Sequence, residues 1–196
     1  ISDAIERNVI SGNNQHGIEI SGDDNVVAGN YIGLNAAGDT AMPNGLKGID
    51  IDPPAANTRI GTDADGNGDA EERNVISGNG DDGVKTKGDY VTIAGNYIGT
   101  DAAGSSVVAN GGYGVAVSVS AYETMIGTDG DGTRDSLEGN TISGNTTGGV
   151  EVVGDVHDTR IAGNVIGTNP AGTAALPNRG DGIYAEGIGD DLVIGT

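Results

Sequence analysis

The sequence predicts an all-β chain wound as a right-handed parallel β-helix, a solenoid of about six turns with three short strands per turn. Three observations carry that expectation. A unit of 66 residues recurs: residues 6–13 read ERNVISGN, residues 72–79 repeat it, and residues 138–145 read EGNTISGN. Within each unit the motif Gly, apolar, any, then usually apolar appears twice, at Gly17, Gly48, Gly83, Gly114, Gly149 and Gly182. Finally, 37 Gly and 5 Pro in 196 residues are too many for helix interiors, while an apolar fraction of 35% rich in Ile and Val suits strands.

Each turn carries three stretches. The first is the Gly-I-x-I strand, which puts Ile18 and Ile20, Ile49 and Ile51, or Val115 and Val117 on one face at period two. The second ends in Val27, Ile60, Ile93, Ile126, Ile161 and Ile194. The third is N-x-I, starting at Asn8, Asn30, Asn74, Asn96, Asn140 and Asn164. Strands this short bury nothing alone, so successive turns must stack, like strand on like strand, about 4.8 Å apart. Inward Ile and Val then form columns, and each Asn sits at a corner where its amide satisfies backbone groups leaving the ladder. The whole chain, 1–196, reads as a single domain of units at about 6–71, 72–137 and 138–196. Asp3 and Glu6 fall in register with Asp69 and Glu72, and Ile194-Gly195-Thr196 matches Ile60-Gly61-Thr62, which is the pattern of a segment cut from a longer array.

Charge narrows the partners. With 9 Lys plus Arg against 29 Asp plus Glu, a formal charge of -20 repels nucleic-acid phosphates and anionic lipid, so neither is expected as a partner. No apolar run reaches the roughly 20 residues of a membrane span, and no insertion is expected. The absence of Cys excludes disulfide and thiol chemistry.

Two kinds of loop interrupt the turns at fixed corners. One spans 34–47, 100–113 and 168–181 and carries the apolar triplets Ala41-Met42-Pro43, Val107-Val108-Ala109 and Ala175-Leu176-Pro177, which either roof a sheet or form an apolar edge for lateral association. The other is acidic. Aligned at 62–73 and 128–139, its copies read D-x-D-G-[N/T]-x-D-x-x-E: Asp63, Asp65, Asn67, Asp69 and Glu72 in the first, Asp129, Asp131, Thr133, Asp135 and Glu138 in the second. Oxygen ligands at alternate positions of a glycine-rich loop suit a hard divalent cation, and Ca2+ is the expected cofactor. These loops hold nine carboxylates, and two unit charges 4 Å apart at a dielectric of about 20 repel by about 4 kcal/mol. The first half of loop one resembles the EF-hand calcium loop, with Asp63, Asp65 and Asn67 at its first, third and fifth positions and Gly68 at its sixth. The likeness stops there, because Asn74 takes the twelfth position and Arg134 replaces the sixth-position glycine in loop two.

The motifs NVISGN, GNYIGTDAAG and N-x-x-I-G-T resemble the right-handed parallel β-helix repeats of large secreted or surface proteins of bacteria, within the pectin-lyase-like superfamily. The resemblance covers essentially the whole chain. It implies a noncatalytic extracellular or cell-surface scaffold, an adhesin or filament component, with self-association end to end or laterally and a cell-surface or glycan ligand as partners. The same superfamily contains polysaccharide lyases, hydrolases and epimerases, so a fragment of a carbohydrate-active enzyme is the alternative.

No catalytic residue is assigned from the sequence. Asp23-Asp24, Asp81-Asp82 and Asp190-Asp191 are paired carboxylates, but adjacent strand residues point to opposite faces, and all three pairs read as solvated turns. His16 and His157 share no repeat position and read as surface residues. Tyr31 and Tyr97 share one outward position, for stacking on a sugar or packing beneath a loop. Arg179-Gly180-Asp181 resembles the integrin-binding tripeptide, yet the matching positions read Leu46-Lys47 and Gly112-Tyr113, so no repeat preserves it.

Overall fold

The structure is a computed structural model that describes residues 6–119 and 121–195. Asp3 and Thr196, which entered the register comparison above, lie outside the described residues. Among the described residues eighteen strands form three parallel sheets of six strands each, as expected of a β-solenoid with three strands per turn.

The first sheet consists of the N-x-I strands Val9–Ile10, Tyr31–Ile32, Val75–Ile76, Tyr97–Ile98, Thr141–Ile142 and Val165–Ile166. The second holds Ile18–Ile20, Ile49–Ile51, Val84–Thr86, Tyr113–Ser118, Gly148–Val153 and Ile183–Glu186. The third holds Val26–Val27, Arg59–Gly61, Thr92–Ala94, Met125–Gly127, Arg160–Ala162 and Val193–Ile194. In each sheet like residue sits on like residue, for example Ile32 on Ile76, Ile49 on Val84 and Ile60 on Ile93. These columns meet in one core in which Ile32, Ile49, Ile51, Ile60, Ile76 and Ile93 are fully buried. Each such side chain contributes roughly 1.5–3 kcal/mol on burial, and parallel stacking lets a strand of two residues share in that gain.

Three corners join the sheets. Where the third sheet turns into the first, Asn8, Asn30, Asn74, Asn96, Asn140 and Asn164 form a continuous amide ladder, each Nδ2 donating to the Oδ1 of the next. Where the first sheet turns into the second, an additional ladder runs through Asn13, Asn44, Asn79, Asn110, Asn145 and Asn178. The third corner is made by Asp24, Asn57, Tyr90, Glu123, Asp158 and Asp191, all in the left-handed region with φ between 48° and 58°.

The long loops leave alternate turns and touch their own kind. Ala102 N–H donates to Gly38 O at 2.8 Å, so the loops at 34–47 and 100–113 form one ridge, and Pro170 of the third loop abuts Gly104. Tyr31 and Tyr97 pack beneath this ridge: each ring lies against a loop glycine, Gly38 or Gly104, and carries a guanidinium, Arg7 or Arg73, 4.2 Å from its centroid. The third unit replaces both partners together, with Gly139 for the arginine and Val165 for the tyrosine. The one helix among the described residues, Asp135–Glu138, lies in the second acidic loop. Among the described residues no helix is long and apolar enough to cross a membrane.

Candidate functional sites

Both acidic loops close in the same way. Glu72 Oε2 accepts the Asp63 N–H and Glu138 Oε2 accepts the Asp129 N–H, each at 3.1 Å, so these glutamates latch the loop base. Inside each loop the aspartates cap neighbouring amides: Asp63 accepts from Asp65 N–H and Asp65 from Asn67 N–H, as Asp129 accepts from Asp131 N–H and Asp131 from Thr133 N–H. Asp69 and Asp135 receive the N–H of Gly66 and Gly132. Hydrogen bonds from Asn67 hold the Asp65 carboxyl below the usual carboxylate range.

The loops then diverge. Asp63, Asp69 and Glu72 converge in the first and Asp129, Asp131 and Asp135 in the second, with one oxygen from each carboxylate within 4.8 Å of the others. The carboxylates of Asp65 and Glu138 stay outside these clusters. In loop one every converging carboxylate faces a guanidinium: Arg59 lies 3.2 Å from Asp63 and 3.4 Å from Glu72, and Arg134 reaches across from loop two to within 3.9 Å of Asp69. Arg134, the residue that spoils the EF-hand likeness of loop two, thus serves as counter-charge to loop one. Among the described residues no ion pair reaches Asp129, Asp131 or Asp135, so the uncompensated cluster is the one in loop two.

A further polar cluster lies on the outer face of the second sheet, where the repeat is broken. All three lysines of the chain, Lys47, Lys85 and Lys87, sit there on two adjacent rungs. Register sets Lys47, Asp50 and Asp52 of one rung against Asp82, Lys85 and Lys87 of the next, so opposite charges face each other in every column. Lys87 lies 2.6 Å from Asp52, whose carboxyl it holds low while its own ammonium is pushed up. Lys47 lies 2.8 Å and His16 Nε2 3.4 Å from the buried Asp50. Cross-strand pairs of opposite charge favour one pairing over its neighbours, and these three columns distinguish one rung contact among near-identical ones.

Two expectations are corrected here. His16 is largely enclosed, with a side chain 14% exposed against Asp50, because the Lys47 rung stacks over it. Asp82 is buried rather than solvated, since the turn before Tyr113 folds over it and the Tyr113 N–H donates to its Oδ1 at 2.8 Å. Burial pushes its carboxyl up to about 6, with the Asp81 charge adding to the effect and the Tyr113 amide opposing it. The unfolded carboxyl titrates near 3.8, so the folded state holds the proton more tightly. Its contribution to stability is greatest below about pH 4, falls as pH rises to about 6, and is level above. Asp82→Asn keeps the acceptor for Tyr113 and removes the charge. It should raise stability at pH 7 by about 1–3 kcal/mol and leave it unchanged below pH 4, as compared by urea unfolding of both proteins across that range.

The remaining candidates resolve simply. Asp23 and Asp24 cap the next rung at the left-handed corner, Oδ1 of the former accepting the Ala56 N–H and that of the latter the Asn57 amide. Asp190 and Asp191 occupy the same corner, where Asp190 faces His157 at 3.6 Å. Of the apolar triplets, Met42 is half exposed while Val108 and Leu176 are partly covered, and their carbonyls accept the N–H of Gly12, Gly78 and Gly144. No family model, curated protein or solved structure matches this chain.

Proposed function

We propose that this chain is a noncatalytic extracellular module of the pectin-lyase-like β-helix type, a rigid spacer within a cell-surface adhesin or filament, stabilised by calcium. The observation that supports this reading is the sameness of the rungs: two uninterrupted asparagine ladders and continuous Ile and Val columns favour a rod that can be lengthened turn by turn. The lysine-bearing face of the second sheet spends its charges on ion pairs within and between adjacent rungs. A solution of this protein incubated with acidic and neutral polysaccharides should yield no new reducing ends and no unsaturated products; either product would overturn the reading. An antibody to the rod should label intact source cells.

Calcium enters through loop two. Among the described residues no ion pair reaches its three converging carboxylates, and a divalent ion with flexible oxygen coordination relieves their repulsion. Added Ca2+ should raise the melting temperature and a chelator should reverse the gain, with Mg2+ a poor substitute because it gives up its waters reluctantly. Asp131→Asn should abolish the gain, whereas Asp65→Asn, at the matching position outside the loop-one cluster, should leave it. A melt indifferent to calcium and chelator would remove the metal from the proposal.

A further inference from the structure

The left-handed corner is not uniform along the rod. Its outer rungs carry Asp24 and Asp191, while the middle carries Tyr90 and, one residue earlier on the next two rungs, Tyr122 and His157. The two tyrosine rings meet edge to face with centroids 5.7 Å apart, and the His157 ring follows at 6.5 Å. Tyr90 remains 46% exposed. Between this aromatic row and the outer face of the third sheet lies a groove of about 310 Å³ lined by Tyr90, Thr92, Glu123, Met125, Asp158 and Arg160. The matching residues of the other units differ at five of these six positions, for example Asp24 for Tyr90, Asn57 for Glu123 and Arg59 for Met125, and Asp158 alone repeats Asp24. Stacking of the rod therefore does not call for them.

The chemistry of the lining selects a ligand. Tyr90 and Met125 offer an apolar wall held in place by Tyr122, suited to the C–H face of a sugar ring. Glu123 and Asp158 accept hydrogen bonds, Thr92 both accepts and donates, and Arg160 donates. Arg160 Nε is buried and has no acceptor in the protein. Two carboxylates against one guanidinium, on a chain of charge -20, disfavour an anionic ligand, and the guanidinium disfavours a cationic one. What satisfies donors, acceptors and an aromatic face together is an uncharged polyol, and the volume is at the lower end of the ~300–1,000 Å³ of small-molecule sites. We infer that this groove is a binding site for a short neutral saccharide. The inference rests on the proposed role only in taking the groove to bind its sugar without cleaving it.

The chain contains two methionines, Met42 on the loop ridge and Met125 in the groove, so a spectrum of ¹³C-methyl-labelled methionine carries its own control. Cellobiose, lactose and maltose serve as neutral probes, digalacturonate as the acidic probe and trilysine as the cationic one. At least one neutral disaccharide should shift the Met125 methyl saturably and leave Met42 in place. Tyr90→Asn, which installs the residue found at the same corner on the preceding rung, should weaken that binding about tenfold, the loss of one aromatic contact, while Tyr90→Phe should retain it. No shift with any neutral disaccharide, a shift with digalacturonate or trilysine alone, or equal binding by Tyr90→Asn would overturn the site. New anomeric signals in the same samples would uphold the site and instead overturn the noncatalytic role.

Discussion

Truncating Asn96 to alanine should destabilise the rod by about 4 kcal/mol, and the same change at Asn8 by about 1 kcal/mol. Asn96 is fully buried in the middle of its ladder. Its Oδ1 accepts the Asn74 N–H at 3.2 Å and the Asn74 amide at 2.9 Å, and its Nδ2 donates to Ile60 O at 2.8 Å and to Asn140 Oδ1 at 3.1 Å. Alanine leaves these groups buried and unpaired, at roughly 1–3 kcal/mol each before any relaxation. Asn8, exposed on the first described rung, gives up only the bond from its Nδ2 to Asn30 Oδ1, where water can replace it. Asn96→Asp separates hydrogen bonding from volume: it is nearly isosteric, keeps the acceptor, loses both donors and sets a carboxylate against Ile60 O and Asn140 Oδ1. It should cost at least as much as alanine. Urea midpoints at unchanged slope provide the measure, and equal losses at Asn96 and Asn8 would refute the ladder as a principal source of stability.

Gly61→Ala should be among the most damaging single methyl additions at the described residues, with a loss of more than about 4 kcal/mol or no folded protein at all. Gly61 has φ +101°, and an added Cβ would run into Ala94 O and lie 2.7 Å from the Asn96 amide. Both neighbours belong to the next rung, and neither can retreat without opening a ladder. Gly172, at φ +67° in an outer loop with nothing within 4 Å of its would-be Cβ, isolates the backbone cost. Gly172→Ala should lose only about 1–2 kcal/mol. Thermal melts of the two variants separate steric from conformational cost, and similar losses would show that close rung stacking is not what excludes a side chain at Gly61.

The rung pattern was legible because it is local. Period-two apolar pairs such as Ile49 and Ile51, and the N-x-I corner, announce strand and turn within a few residues, and their recurrence announces the stack. The second asparagine ladder is not evident from sequence order, although Asn13, Asn44, Asn79, Asn110, Asn145 and Asn178 recur at the interval of the Gly motif. Its members sit in two unlike contexts, S-G-N at Asn13, Asn79 and Asn145 and the end of a loop triplet at Asn44, Asn110 and Asn178. Only stacking shows them to be equivalent. The burial of Asp82 is hidden for a related reason: its turn is polar in sequence, and the Tyr113 amide that covers it arrives from the next rung.

What the amino-acid order determined alone was therefore the cross-section: three short strands, an apolar interior and asparagine corners, all encoded by neighbours along the chain. The tertiary structure decided which charges meet. Arg134 neutralises Asp69 from the other acidic loop, Lys87 pairs with Asp52, and Tyr90 shares a groove with Arg160. Each of these contacts joins different turns, so it depends on how turns are stacked and how loops lean, which short-range patterning does not specify.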